Sequence, residues 1–133
     1  MGEEAMKDKL EATYYYKDGI TSSEYDTSKQ LHRENGPAGE YTDGDRGWYV
    51  DGKPHRVDGP AIENADGSKY WWVDGKRHRI DGPAIEYVNG YKRWCVDGEE
   101  YYSEEEFNEL MEEAKQLPLA LKLTDPREWV RKL

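Results

Sequence analysis

The sequence predicts a mainly β protein: antiparallel β-hairpins stacked at a fixed period into one elongated sheet, followed by a C-terminal helical cap. Three observations carry this expectation. Stretches beginning at His32, His55 and His78 align without a gap at a period of 23 residues. Asn-Gly or Asp-Gly pairs recur between short β-type runs, which is a strong local hairpin signal. Apolar residues at helical spacing gather only beyond residue 103. A constant period of this length marks a repeat architecture, in which a unit buries enough surface only against its neighbours.

Composition points the same way. The chain has 133 residues, room for one domain of ordinary size. Apolar residues make up 35% and charged residues 36%, a poor ratio for a thick core. Eleven Tyr and five Trp stand against a single Phe. Tyr and Trp join a large apolar body to a polar tip, so they suit thin, half-wet layers and binding faces. Thirteen Gly imply many turns.

Taken in order, residues 1–30 form an N-terminal segment. Residues 3–10 fit a short helix. Tyr14-Tyr15-Tyr16 followed by Lys17-Asp18-Gly19 reads as a strand and a turn, a degenerate leading unit, and residues 21–30 as a polar loop. Residues 31–102 hold the three repeats. Each opens His-Arg, passes through Asn-Gly-Pro-Ala or Asp-Gly-Pro-Ala, and reaches Glu40, Glu63 or Glu86. Gly44, Gly67 and Gly90 follow, then Trp48, Trp71 and Trp94, then Val-Asp-Gly.

In the third unit Pro83 to Val88 is a β-type run and Asn89-Gly90 a two-residue type I′ turn. Residues 91–96 return antiparallel, and Asp97-Gly98 makes the next tight turn. Asp43-Gly44 and Asp66-Gly67 take the same hairpin role, while Asp-Gly-Pro links hairpins, with Pro at the start of a strand. Side chains alternate along a strand, so Trp48 shares a face with Val50, Trp71 with Val73 and Trp94 with Val96. That face is expected to be buried as an aromatic and valine ladder. Tyr49, Trp72 and Cys95 point the other way and differ between units, as a binding surface would.

Residues 103–133 form the helical cap. Ser103 and Glu106 make a capping box. Phe107, Leu110, Met111, Ala114 and Leu117 recur at helical spacing before Pro118. Such a helix covers the open end of the stack or, alternatively, docks a partner. Leu117, Leu119, Leu121 and Leu123 then alternate, and Asp125-Pro126 opens a last short helix. Its Trp129, Val130 and Leu133 fold back on the sheet or form a homodimer contact.

Charge and chemistry narrow the function classes. The net charge of −10 is spread along the chain. That disfavours binding phosphate backbones or anionic membranes through overall electrostatics. A single cysteine, Cys95, allows no internal disulfide or thiolate cluster. Residues 1–5 lack the basic flank and apolar run of a secretion signal, and Met6 spoils a myristoylation motif. No run approaches a membrane span. The expectation is a reducing, cytoplasmic setting.

Three His in register invite a metal, but equivalent positions two strands apart lie roughly 9–10 Å from each other, too far to share one zinc ion. A structural bond from each His to a turn carbonyl is the expectation. Arg33, Arg56 and Arg79 precede Asn35, Asp58 and Asp81 by two positions, which suggests ion pairing along the turn. The sharper alternative is a row of guanidinium forks for a phosphate or carboxylate. Cys95 sits mid-strand, the Ser residues lie in loops or a cap, and no phosphate-cradling Gly loop occurs. An enzyme is not expected, nor a cofactor.

The stretch Trp72-Val73-Asp74-Gly75-Lys76-Arg77-His78, with Gly82 and Asn89-Gly90-Tyr91, resembles a MORN-type repeat. Arg33, Arg56 and Arg79 stand where that family usually has Gly. The variant His-Arg-x-Asp-Gly-Pro-Ala, closed by residues 98–107, resembles repeat proteins of tailed bacteriophages. The resemblance covers residues 31–107. It implies the fold and a viral setting in a host cytoplasm, and no particular activity.

The expected function is a non-enzymatic protein–protein interaction module, a phage accessory protein that binds and inhibits a host defence or nucleic-acid-processing protein. Tyr49, Trp72, Tyr87 and Tyr91 are the expected contact residues, with Arg56 and Arg79 at the rim, because aromatics and Arg carry interface energy disproportionately. The alternatives are sequestration of a nucleotide signal between Arg and aromatic side chains, and a structural role in a virion.

Overall fold

Each unit reverses the chain twice, once at each of its Gly-containing turns. The computed structural model describes residues 11–117. The first reversal joins β3 (Gly39–Tyr41) to β4 (Arg46–Gly47), β7 (Ile62–Glu63) to β8 (Lys69–Tyr70), and β11 (Ile85–Glu86) to β12 (Lys92–Val96). The second joins β5 (Tyr49–Val50) to β6 (Lys53–Pro54), β9 (Trp72–Val73) to β10 (Lys76–Arg77), and β12 to β13 (Glu99–Tyr101). Before them come β1 (Ala12–Tyr15) and β2 (Thr21–Ser22), and after them α1 (Glu104–Lys115). The expected elements in residues 3–10 and 118–133, including the homodimer contact, lie outside the described residues.

The first hairpins stack into one antiparallel sheet of nine strands, in the order β13-β12-β11-β8-β7-β4-β3-β1-β2. The fold is mainly β, with stacked hairpins and a C-terminal helix, as the repeat implies. Units are stitched by single bonds between the second hairpins: the Arg56 amide donates to the Trp72 carbonyl at 3.0 Å and Gly75 to Pro54 at 3.0 Å. The Trp48 and Trp71 amides donate to the Ala61 and Ala84 carbonyls at 2.6 and 2.7 Å. Those alanines, with Ala38, form a row at 23-residue spacing in which every member is 0% exposed.

The two kinds of turn divide differently from the expectation. Asp51, Asp74 and Asp97 have φ of 51°, 51° and 50°, and the Gly after each is also positive, so these are the type I′ turns. In the first hairpins only Gly44, Gly67 and Gly90 are positive, and Asp43-Gly44, Asp66-Gly67 and Asn89-Gly90 are not two-residue I′ turns. The Gly44 amide donates to the Tyr41 carbonyl and Tyr41 donates to Asp45, which closes a three-residue loop. The cause is the Asx side chain. Oδ1 of Asp43, Asp66 and Asn89 accepts the amide two residues on, a local bond that these short side chains favour in turns.

Register sorts the long sheet into two faces. Glu40 lies opposite Arg46, Arg46 opposite Glu63, Glu63 opposite Lys69, Lys69 opposite Glu86, and Glu86 opposite Lys92. One face is therefore an alternating ladder of opposite charges, a favourable cross-strand arrangement. The other carries Gly39 opposite Gly47, then Ile62, Tyr70, Ile85 and Arg93 in the same order.

At the C-terminal end Ser103 Oγ accepts the Glu106 amide at 3.1 Å, a cap worth about 1 kcal/mol. The Glu106 carboxylate reaches back to the Tyr102 amide, one residue earlier than a standard capping box would have it. Phe107 and Ala114 are buried. With Met111 they line one cleft together with Trp94, between the last unit and the helix. Among the described residues no helix is long and apolar enough to cross a membrane.

Candidate functional site

The arginines define one face of the molecule. Arg56 lays its guanidinium 3.9 Å from the ring centroid of Trp48, in the preceding unit, and Arg79 does the same to Trp71 at 3.9 Å. Arg33 covers Tyr15 at 3.9 Å, so the leading segment supplies a Tyr where later units supply Trp. On the guanidinium's other side lies the Gly of Asp-Gly-Pro: a Cβ on Gly59 or Gly82 would stand 2.9 or 2.8 Å from the Arg Cζ. That Gly is required by close approach; among the described residues only Gly19, Gly44, Gly52, Gly67, Gly75, Gly90 and Gly98 have positive φ.

The Nε and Nη1 donors of Arg56 and Arg79 are taken internally. Arg79 Nε donates to Asp81 at 2.9 Å, and its Nη1 to the Pro83 carbonyl at 3.1 Å and to Glu86 at 3.2 Å. Arg56 repeats the set with Asp58, Pro60 and Glu63. This corrects two expectations. The Trp residues do not form a sealed aromatic row, because an Arg stands over each of Trp48 and Trp71, and both rings are half-buried. Nor do Arg56 and Arg79 rim the aromatic surface: they reach Glu63 and Glu86, on the charged face.

The His residues also work inside the stack, with the polarity reversed from the expectation. Nδ1 of His32, His55 and His78 accepts the amide of Asp51, Asp74 and Asp97 at 3.0, 3.0 and 2.9 Å. Each imidazole thus holds the type I′ turn of its unit as an acceptor. Among the described residues no three His, Cys, Asp or Glu side chains gather as a metal set.

Four of the nominated residues belong to the opposite face. Tyr49 packs its ring over Gly47, beside Ile62. Trp72 holds the register position of Tyr49 in the second unit. Tyr87 stacks on Tyr91 at 5.8 Å and meets Tyr70 edge-on at 6.0 Å. Tyr91 is 63% exposed, next to exposed Val88. The face is not open along its whole length, since Cys95, at the third position of this series, is 0% exposed. Burial also pushes its thiol pKa up, which disfavours the reactive thiolate.

At the N-terminal end the same face opens into a cleft of about 530 Å³, walled by Tyr14, Tyr25, Tyr41 and Tyr49. Tyr14 is edge-on to Tyr41 at 5.9 Å, bonds its hydroxyl at 3.2 Å, and lies 5.4 Å from Tyr25. The Tyr14 hydrogen bond and then burial hold the Tyr41 phenol well above its usual pKa, and burial raises that of Tyr49. Both rings stay neutral. The floor is Gly39 and Gly47, directly opposite each other across β3 and β4. The second unit has Ile62 and Tyr70 at these positions and the third Ile85 and Arg93; in the first unit both glycines are buried, Gly47 beneath the Tyr49 ring.

Sequence reasoning about the repeat passes over this cleft because it searches for what recurs. The signal that finds it is the departure: two glycines where the period calls for large side chains. No family model, no curated protein and no solved structure matches the chain.

Proposed function

We propose that the chain is a non-enzymatic protein–protein interaction module that engages its partner through the variable aromatic face. The observation that supports this reading is the division of labour between the faces. The recurring His, Arg, Asp-Gly-Pro, Glu and Trp are bonded to one another within the stack. The positions of Tyr49, Trp72, Tyr87 and Tyr91 change from unit to unit and carry aromatics that are only partly covered. Such side chains dominate interface energetics when a partner desolvates them.

The resemblance to phage repeat proteins supports a finer version: an accessory protein that binds and inhibits a host defence or nucleic-acid-processing protein in the cytoplasm. Sequestration of a nucleotide phosphate by the Arg row draws less support, because Nε and Nη1 of Arg56 and Arg79 already serve Asp, Glu and Pro partners.

Affinity capture from bacterial lysate with the intact chain and with Trp72→Ala tests the reading. A partner bound by the intact chain is lost with Trp72→Ala and kept with Asp58→Asn, on the charged face. Equal recovery by all three baits contradicts it.

A further inference from the structure

The tyrosine-walled cleft is built rather than incidental, since its Tyr49 wall lies against the sheet only because residue 47 is glycine. A side chain at Gly47 would meet the Tyr49 ring at 2.6 Å and Ile62 at 3.3 Å, so the Tyr49 wall in its place excludes any larger residue there. What such a cleft receives follows from its rings and its charges. Aromatic faces offer negative electrostatic potential to a cation. Both cations in the lining are already neutralised by carboxylates: Lys29 pairs with Asp18 at 3.0 Å and Arg46 with Glu63 at 2.7 Å. The lining carboxylate of Asp51 is paired in turn with Lys17 at 2.9 Å.

That leaves Asp45. Its Oδ1 accepts the Ala65 amide at 2.6 Å, and among the described residues it has no cation partner. The charge left over at the cleft is therefore negative, on a chain whose net charge is −10. A field of that sign draws cations and repels anions, a second copy of this chain included.

We infer that this cleft takes a cationic side chain, Arg or Lys, from a basic segment of a partner protein. The guanidinium or ammonium group lies against the Tyr faces with Asp45 as its counter-ion. This assignment rests on the interaction reading above and gives the partner a chemistry: a protruding basic residue on a positively charged surface.

Titration of the isotope-labelled full chain with a capped Gly-Arg-Gly peptide, followed by amide NMR, tests it. The expected shifts fall on Gly39, Gly47 and Asn64, and a peptide with neutral citrulline in place of arginine produces none. Asp45→Asn, which keeps the bond from Ala65, weakens binding about tenfold. Tyr49→Phe retains binding, and Tyr49→Leu loses it. The inference is overturned if arginine and citrulline peptides bind alike, if the shifts fall elsewhere, or if Asp45→Asn binds as the parent chain does. Thermal unfolding of each variant separates loss of the cleft from loss of the fold.

The two readings fail separately. A captured partner that is lost with Trp72→Ala but held by Asp45→Asn and Tyr49→Leu leaves the interaction module standing and removes the cation site. A cleft that binds the arginine peptide in a chain that captures no partner does the reverse.

Discussion

The two faces of the long sheet are made from the same strands and yet obey opposite rules. On the charged face the second and third units repeat one set of contacts: Arg on the preceding aromatic ring, Gly beside the guanidinium, and Asp, Pro and Glu as acceptors. On the other face equivalent positions hold Tyr49, Trp72 and Cys95, or Gly47, Tyr70 and Arg93. The difference teaches what a repeat is for. A clasp that must close between neighbours has to recur, and a surface that meets something outside is free to change. Predictions that damage one face and spare the other sharpen this contrast.

The largest effect belongs to the clasp. Arg79→Ala strips the Trp71 ring of its cover and leaves Glu86 and the Pro83 carbonyl without their donor. We expect a loss of about 3 kcal/mol in urea unfolding. Arg79→Lys recovers less than half, because an ammonium lacks the planar fork that stacks and donates together.

Next comes Gly82→Ala, whose sign depends on its neighbour. In the parent chain the new methyl meets the Arg79 Cζ at 2.8 Å, and a cost of about 1–2 kcal/mol is expected from overpacking. With Arg79→Ala already present the obstacle is gone. The same change should then cost nothing, or stabilise by about 0.5 kcal/mol through the stiffer unfolded chain. Unfolding midpoints of the four variants decide it.

A smaller effect follows inside the stack. His78→Ala removes the acceptor of the Asp97 amide and should cost about 1 kcal/mol. Tyr91→Ala, on the opposite face, lies where a single exposed ring stacks on Tyr87. It should change stability by under about 0.5 kcal/mol. A Tyr91→Ala loss as large as that of Arg79→Ala would erase the distinction between the faces.

The fold is legible in the sequence where it depends on neighbours along the chain. Asp74-Gly75 announces a turn, and Ser103 with Glu106 a helix start, because the bonds that make them span a few residues. The clasp is harder to read. Arg56 suggests a pairing with Asp58, two residues away, and does form it, but the ring it covers belongs to Trp48, in another unit and across a turn. Only the order in which hairpins stack brings the two together. The same ordering separates Arg56 and Arg79 from Tyr49 and Tyr87, which alternation along one strand cannot reveal. Trp94 shows the limit of the period. The residue where its Arg falls due is Tyr102, which is 97% exposed, and the helix bearing Phe107 lies beside the ring instead.

The clasp requires that an arginine of one unit and the indole of the previous unit stabilise each other. A double-mutant cycle on Arg79 and Trp71, read by chemical unfolding of the full chain, measures that coupling alone. A favourable coupling of about 1 kcal/mol or more is expected for a partly desolvated cation over an indole. Losses that add to within about 0.3 kcal/mol would show the two side chains to be independent and contradict the clasp.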